Sequence, residues 1–353
     1  MSSRCSRRRL LISAAAAAAY TGVMNPFTRA APATVPRSRI FRGINIDPVY
    51  ELKTADDLIK LSGALRASNT RAMRVPVRWI VVEPQKGNWD WSRMDRAIKA
   101  IPVEIEILAM LMSVPPWASG VDPAKVEGWP DTYPPRDLLD WEKFVRLAVQ
   151  RYKPRIRHWE IWNEENGIDF FHPAPDAPRY VEILKSAYRA AKAIDPRCKI
   201  VLGGLQMNGV IANPWSAVKT PDFLEKIYLA GGGKFFDVCN THPYVLPTEG
   251  AGHMIKLTRD TRTVMAKHGD AEKPLWLTEF GCGLNNGTTP EDQARLLSDA
   301  YALASTEPGI DRLYWFTLRD FERDQLGPEA SMGLLTHDWK TKPAFEVFRK
   351  LPR

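Results

Sequence analysis

Positions 158–164 read His-Trp-Glu-Ile-Trp-Asn-Glu, and positions 275–281 read Leu-Trp-Leu-Thr-Glu-Phe-Gly. Both are short apolar and aromatic runs, typical of buried strands, and in each the run stops at a glutamate. A carboxylate at the end of a buried strand is poorly solvated, so it must be paired or used in chemistry. The two segments therefore predict strands that bring Glu164 and Glu279 to a polar site.

Strand-like and helix-like segments alternate along the rest of the chain. The helical segments carry start signals, such as Thr54 with Asp57, and Thr289 followed by Pro290. Eight short, mostly apolar segments are predicted as buried parallel strands, at residues 41–46, 72–77, 103–111, 158–163, 199–203, 236–242, 274–279 and 312–316. Eight strands, each followed by a helix, predict an α/β fold of the (β/α)8 barrel type. The alternative is an open doubly wound sheet, which would need a Gly-rich phosphate turn that the sequence lacks.

The first 33 residues are predicted to be a signal peptide, and residues 34–353 a single catalytic domain. Four early arginines precede an uncharged, alanine-rich run at positions 10–23, and positions 31–33 offer an Ala-Pro-Ala cleavage site. Positions 6–11, Ser-Arg-Arg-Arg-Leu-Leu, resemble the twin-arginine signal that exports folded proteins from bacteria. This predicts a periplasmic or extracellular protein. The alternatives are an ordinary secretory signal and an organelle transit peptide.

Charge and cysteine content exclude several classes of function. Residues 1–33 hold five arginines and no acidic residue, so their removal lowers the formal net charge from +8 to +3. Nucleic acid is therefore not predicted as a partner, and no run is long enough for a comfortable membrane span. Cys198, Cys239 and Cys282 remain, so at most one disulfide is possible, although a buried free thiol is the favoured state. Neither these cysteines nor the six histidines show metal-ligand spacing. No metal or cofactor is predicted.

The two strand-end glutamates fit one reaction. In an eight-stranded ring the fourth and seventh strands are separated by two others, so Glu164 and Glu279 would face each other across the barrel mouth, where the loops after the strands lie. Hydrolysis of a glycosidic bond needs a proton for the leaving oxygen and a second carboxylate near the anomeric carbon. We assign Glu164 as acid/base and Glu279 as nucleophile, and expect the carboxyls about 5–5.5 Å apart. The alternative is that each glutamate is only a structural ion-pair partner.

The motifs Trp-Asn-Glu at 162–164 and Thr-Glu-Phe-Gly at 278–281 resemble those of clan A of the retaining glycoside hydrolases. Within the clan, positions 82–91, 332–335 and 342–344 are most similar to family 39, including its exopolysaccharide-cleaving relatives, and to family 5. The resemblance covers nearly the whole chain after the leader. It implies a retaining enzyme that acts on a β-linked polysaccharide or oligosaccharide.

The resemblance also assigns residues around the two glutamates. Arg74 would bond the nucleophile and keep it ionised, unless it is a barrel-interior partner of Glu160. Asn163 would bond the sugar 2-hydroxyl. His242 and Tyr244 would contact the nucleophile and the sugar, although a lone histidine is often only a satisfied core group.

Tryptophan is the candidate for sugar stacking, because aromatic faces pack on the apolar faces of pyranoses. The resemblance implies that Trp315 is the platform beneath the sugar, and Trp117 is a second, weaker candidate. Glu165 is expected to face solvent or a loop.

Two other functions remain open from sequence. One is an exo-acting, β-xylosidase-like enzyme, and the other is a non-catalytic carbohydrate-binding barrel. The loops at residues 120–133 and 208–220 would decide between an open cleft and a closed pocket.

Overall fold

Parallel strands joined edge to edge organise the part of the chain that the computed structural model describes, namely residues 40–126, 128–207, 218–285, 287–322 and 327–352. In these ranges the strands run in the order β5-β4-β3-β2-β1-β9-β8-β7-β6, and every pairing is parallel. The strands are β1 Phe41–Asn45, β2 Ala72–Arg78, β3 Glu106–Met112, β4 His158–Ile161, β5 Lys199–Leu202, β6 Leu205–Gln206, β7 Cys239–His242, β8 Leu275–Phe280 and β9 Ile310–Trp315.

The sheet closes on itself between β5 and β7. The Leu202 amide donates to the Val238 carbonyl at 3.0 Å, and the Val238 amide donates to the Ile200 carbonyl at 3.2 Å. Because only Gly203 and Gly204 separate β5 from β6, these two segments together form one barrel strand. The fold is therefore the predicted (β/α)8 barrel.

Helices surround the barrel and begin where the sequence signals predict. Thr54 and Thr289 each form a capping box, with Asp57 and Asp292 respectively, and Pro290 occupies the first turn of its helix. The α-helices are α1 Ala55–Ala67, α2 Trp79–Val82, α3 Ser92–Ala100, α4 Pro116–Ser119, α5 Leu138–Tyr152, α6 Ala177–Ile194, α7 Thr220–Leu229, α8 Ala251–Lys267, α9 Pro290–Ala304 and α10 Pro343–Lys350. Short 3₁₀ turns lie at Pro130–Thr132, Gly232–Phe235 and Gly327–Ser331.

The apolar core has two parts. A large layer lies between strands and helices, and a small cluster inside the barrel consists of Ala72, Leu108, Val201, Val238, Trp276 and Tyr314. Below it the Arg312 guanidinium is sandwiched between the rings of Phe41 and Trp276, at 4.3 and 4.2 Å from their centroids. Apolar packing fills this part of the barrel interior, and the polar side chains of the interior lie nearer the C-terminal ends of the strands.

Some predicted boundaries differ from the structure. The strand predicted at 103–111 begins only at Glu106, because Val103 is 85% exposed in a turn. The strand predicted at 236–242 begins only at Cys239, and Val238 before it pairs with Val201 as an isolated parallel bridge. No helix among the described residues has the length and apolar character to cross a membrane. The predicted leader, residues 1–33, lies outside the described ranges.

Cys198, Cys239 and Cys282 are all buried and free, as predicted. Burial raises the pKa of each thiol, to about 11 for Cys198 and about 12 for the other two, so all three stay protonated.

Candidate active site

Glu164 and Glu279 meet at the mouth of the barrel. Glu164 lies just after β4, and Glu279 is the fifth residue of β8. One carboxylate oxygen of each and a ring nitrogen of His242 all lie within 4.8 Å of one another. Glu164 and Glu279 are 6% and 8% exposed, and His242 is fully buried. The barrel therefore brings together two glutamates that are more than 100 positions apart in the chain.

Glu279 is held as a carboxylate. Nη1 of Arg74 donates a hydrogen bond to its Oε1, and the Tyr244 hydroxyl donates to Oε2 at 2.7 Å. Burial alone would raise the pKa of Glu279, but the electrostatic influence of His242 and Arg74 and the hydrogen bonds from Tyr244 and Arg74 outweigh it and lower that pKa below its usual value. Both oxygens are thus oriented by donors, as a nucleophile requires.

Glu164, in contrast to Glu279, is held in its protonated form. Burial, and after it the negative charge of Glu279, raise the pKa of Glu164 well above its usual value. Its Oε1 lies 2.8 Å from Nδ1 of His242, whose own pKa is lowered to about 3 by burial. The contact therefore joins a neutral imidazole to a protonated carboxyl and is not an ion pair. Two neighbouring carboxyls with divergent pKa values are suited to separate acid and nucleophile roles.

Arg74 has both of the partners that the sequence left as alternatives. Its Nε and Nη2 donate to the two oxygens of Glu160 at 2.7 and 2.8 Å, and Nη1 donates to Glu279. Nη2 also donates to Oδ1 of Asn163 at 2.7 Å. This bond fixes the amide orientation and leaves the nitrogen of Asn163 available to a hydroxyl in the cavity. One buried guanidinium thus orients both the Glu279 carboxylate and the Asn163 amide.

Sequence reasoning missed a group of polar residues beneath the glutamates. Asn240 donates to Oε1 of Glu160 at 3.0 Å and to Oγ1 of Thr278 at 2.7 Å. Thr278 Oγ1 in turn lies 3.0 Å from Nε2 of His242. Period-two alternation on each strand, which puts Asn240 on the same face as His242, could have indicated this group.

The backbone around Glu164 adopts conformations that are unusual for non-glycine residues. Trp162 has φ 77° and Glu164 has φ 49°. Such residues cost about 1–3 kcal/mol each and persist where surrounding contacts hold them. Here the Glu164 amide donates to the Gly204 carbonyl at 3.0 Å, and the Trp162 indole donates to the Phe170 carbonyl at 2.8 Å. The predicted strand at 158–163 therefore ends at Ile161, and the turn that follows aims Glu164 into the mouth.

Both tryptophans that the sequence predicted to bind sugar lie outside the wall of the cavity. Trp315 is fully buried, packs on Phe280 and donates to the Met332 carbonyl at 2.9 Å. Side chains alternate in direction along β9. Trp315 therefore points to the helices, whereas Tyr314 and Phe316 point into the barrel. Phe316, and not Trp315, lines the cavity. Trp117 packs on Trp79 and donates to a backbone carbonyl, and it does not line the cavity either.

Glu165 also contradicts its prediction. It does not face solvent: it is fully buried beside Gly203, and neither carboxyl oxygen has a hydrogen-bond partner. Burial raises its pKa to about 8, so it is protonated at neutral pH.

A cavity of about 1350 Å³ opens above the two catalytic candidates. Its wall includes Arg74, Asn163, Tyr244 and Phe316, and further out Tyr50, Arg78, Trp129, Asp131 and Glu329. The loop at 120–133 contributes Trp129, Asp131 and Thr132. Most of the other loop that the sequence singled out, residues 208–217, lies outside the described residues. The volume exceeds the roughly 300–1,000 Å³ of a typical small-ligand pocket.

The trio of Glu164, His242 and Glu279 has a spacing that a metal ion could use. However, Glu279 already accepts from Arg74 and Tyr244, and a guanidinium in contact with a carboxylate repels a second cation. The donor set therefore suits proton transfer better than metal binding.

Comparisons with known proteins concern the fold and the reaction class. Residues 178–342 match the family model described as glycosyl hydrolase catalytic core. The fold resembles a monomeric β-xylosidase from Caulobacter crescentus CB15, at 19% identity and TM-score 0.69, covering 90% of this chain and 68% of that one. It also resembles a family 39 glycoside hydrolase from Bacteroides cellulosilyticus WH2, at 22% identity and TM-score 0.67, covering 90% and 64%.

A GH5_18 protein from Bifidobacterium longum subsp. infantis has the same fold, at 15% identity and TM-score 0.67, covering 89% of this chain and 78% of that one. The chain spans 64% of the family 39 protein and 68% of the β-xylosidase, so these likenesses establish the architecture. Together with the matched catalytic core, they confirm the resemblance to clan A that the two glutamate motifs indicated. Residues 178–342 thus match a glycosyl hydrolase catalytic core, and the (β/α)8 fold of the chain is similar to those of families 39 and 5.

Proposed function

We propose that this chain is an exported, retaining glycoside hydrolase that cleaves β-glycosidic bonds of a polysaccharide or oligosaccharide by double displacement. The proposal rests on Glu164 and Glu279, which have carboxyl oxygens within 4.8 Å of each other. The pKa of Glu164 is raised and that of Glu279 is lowered, so the first is protonated and the second ionised. Retaining enzymes have carboxyls about 5–5.5 Å apart, whereas inverting enzymes leave roughly 6.5–9.5 Å for a water molecule. The short separation therefore supports retention.

In the first step the Glu279 carboxylate attacks the anomeric carbon, and the bond from that carbon to the leaving oxygen breaks. The protonated Glu164 gives its proton to this oxygen, so the alcohol departs neutral. Arg74 and Tyr244 hold the nucleophile in position, and the Asn163 amide is placed to bond the 2-hydroxyl. The product of this step is a glycosyl ester on Glu279.

In the second step Glu164, now ionised, takes a proton from water as the water attacks the same carbon. His242 supports both states of Glu164, since a neutral imidazole can accept from the acid at Nδ1 or, as the other tautomer, donate to the carboxylate. The ester bond breaks, and the sugar leaves with its original anomeric configuration.

Two variants of this proposal differ in where the enzyme cuts: an exo-acting enzyme removes terminal units, and an endo-acting enzyme cuts within a longer chain. The β-xylosidase among the similar structures supports an exo-acting, xylosidase-like enzyme. The cavity of about 1350 Å³ favours a substrate longer than one sugar unit. The third function, a non-catalytic carbohydrate-binding barrel, is disfavoured because both glutamates and their orienting partners are present. Export in the folded state is proposed from the arginine-rich leader alone.

The stereochemistry of the product tests the proposal. The purified protein is incubated with a panel of β-linked plant and bacterial polysaccharides and aryl β-glycosides, and the first product is followed by proton NMR. We expect the β-anomer to appear first and to mutarotate later. A first product of α-configuration would contradict double displacement, and no turnover on any substrate would favour the binding barrel.

A further inference from the structure

Two exposed aromatic side chains lie in the wall of the cavity. Among the described residues, the large apolar side chains that are exposed comprise two aromatic and seven aliphatic ones. Both aromatic residues, Tyr50 at 49% and Trp129 at 64% exposure, line the cavity, and none of the seven aliphatic residues does. Pyranose rings stack their apolar faces on exposed aromatic rings, so exposed aromatic side chains in a glycosidase cavity indicate sugar binding.

Tyr50 is fixed in place by charged neighbours. Asp47 Oδ1 accepts from the Tyr50 amide at 3.2 Å, and Asp47 Oδ2 accepts from Nε of Arg78 at 2.7 Å. The Arg78 guanidinium lies 4.7 Å from the centre of the tyrosine ring. Arg93 donates to the Val49 carbonyl at 2.8 Å and so secures the same loop. A ring held this way loses little conformational entropy when it binds a ligand.

Trp129 belongs to the same group of residues. Its carbonyl accepts from the Thr132 amide at 3.1 Å and from the Thr132 hydroxyl at 2.8 Å, which begins the Pro130–Thr132 turn. This turn brings Asp131 to 3.8 Å from Arg78. The loops after β1 and β3 are therefore joined through one arginine at the end of β2, and each presents an aromatic side chain.

The group lies apart from the reacting bond. Arg74 and Arg78 are four residues apart on β2 and share its inward face, which separates them by about 13 Å along the strand. Arg74 contacts Glu279, whereas Arg78 contacts Asp47 and Asp131 at the rim. This separation is longer than one sugar ring, so a monosaccharide bound at Glu279 does not reach the rim.

We infer that Tyr50 and Trp129 form a second sugar-binding subsite, remote from the catalytic glutamates, that recognises a further unit of a neutral β-linked oligosaccharide. The inference rests on the proposed function and deepens it, because it makes the chain a glycosidase whose efficiency rises with substrate length. Asp47, Arg78 and Asp131 position the two rings and offer polar groups to the sugar hydroxyls.

Kinetics on substrates of graded length test the subsite. The probes are p-nitrophenyl β-xyloside, β-glucoside and β-mannoside and the matching di- to hexasaccharides. We expect kcat/KM of the wild type to rise with chain length for the preferred sugar. In Tyr50→Ala and Trp129→Ala the loss on the hexasaccharide should exceed the loss on the aryl glycoside by about tenfold, which corresponds to about 1.4 kcal/mol. Equal losses on both substrates, or no rise with length, would overturn the subsite.

Two control variants make the test specific. Tyr50→Phe keeps the ring and should retain most of the length dependence. Leu229→Ala removes a side chain that is 73% exposed outside the cavity and should leave both activities unchanged.

A binding measurement separates this inference from the proposed function. In the Glu279→Ala background, xylohexaose, cellohexaose and mannohexaose are titrated by calorimetry. Addition of Tyr50→Ala or Trp129→Ala should raise the Kd of the best ligand about tenfold. An unchanged Kd, or no binding of any of the three, contradicts the subsite. Failure of the proposed function appears differently, as a wild type that binds a hexasaccharide but never hydrolyses it.

Discussion

His242 Nδ1 lies 2.8 Å from Glu164 Oε1, and the opposite nitrogen of the same ring lies 3.0 Å from Thr278 Oγ1. The ring is fully buried, and burial lowers its pKa to about 3, so it is neutral throughout the range in which such an enzyme works. A neutral imidazole accepts at one nitrogen and donates at the other, and Thr278 can match either tautomer. The histidine can therefore follow the change in protonation of Glu164 without carrying a charge itself.

Loss of the nucleophile should abolish turnover. Glu279→Ala is expected to lower kcat by at least about 10⁴-fold, because no covalent intermediate can form. Added azide should enter the vacated space and convert an aryl β-glycoside into the α-glycosyl azide, which NMR identifies. Glu322→Ala, a change at an exposed residue of the cavity rim, is the control. Wild-type activity of Glu279→Ala on its true substrate would refute the assignment.

Loss of the acid/base should have a different effect. Glu164→Ala is expected to lower kcat on a natural substrate by about 10²–10⁴-fold, the usual contribution of general acid–base catalysis. Aryl glycosides with good leaving groups should be spared in the first step, because they need little protonation. Azide should then restore turnover and give the β-glycosyl azide. If azide gave the same anomer with both variants, the two roles would not be distinct.

The pH profile should reflect the two pKa shifts. Activity needs ionised Glu279, whose pKa is lowered, and protonated Glu164, whose pKa is raised, so kcat/KM rises through the first pKa and falls through the second. Burial is the main cause of the raised pKa of Glu164, but the charge of Glu329 adds to it. Glu329→Gln should therefore move the alkaline limb to lower pH.

The control for this profile is Glu322→Gln, which removes a carboxylate that is paired with Lys53 at 3.7 Å on the rim. It should leave the alkaline limb in place. A limb that moved equally in both variants would show a general effect of cavity charge and not the specific influence of Glu329.

Gly204 is predicted to be essential for the position of His242. A Cβ at this position would lie 1.8 Å from Nε2 of the buried histidine. Gly204→Ala should therefore lower the free energy of unfolding by about 1–3 kcal/mol and reduce kcat/KM as the ring moves off Glu164. Gly63→Ala in α1 meets nothing within 4 Å and should be neutral or stabilising by about 0.5–1 kcal/mol. Denaturant unfolding and kinetics of both variants check this, and a fully active, equally stable Gly204→Ala would contradict it.

The leader carries the fifth prediction. Replacement of Arg7 and Arg8 by lysine should leave the protein inside a bacterial host, because the twin-arginine route reads that pair. Fractionation followed by immunoblotting measures the exported share. Undiminished export of the double variant would indicate the general secretory route, on which the arginine pair has no special role.

The amino-acid sequence by itself determined the architecture and singled out the two glutamates proposed to react. Strand and helix periodicity, together with caps such as Thr54–Asp57, depends on neighbours within a few residues, so it could be seen along the chain. Glu164 and Glu279 were recognisable because a carboxylate at the end of an apolar strand is costly unless it is used. Arg74 and Asn163 followed from the motifs around them.

The tertiary structure alone decided which side chain of each strand end faces the cavity, because the side-chain direction reverses with every residue. A difference of one position buried Trp315 and brought Phe316 into the cavity wall, and burial of Glu165 depended on the glycines of a different strand. Distances across the barrel likewise decide the opposite pKa shifts of the two glutamates. They also decide that Arg78 joins the loop of Tyr50 to the loop of Trp129, through Asp47 and Asp131. Local sequence does not contain those distances, since they arise only when β1 to β9 close into a ring.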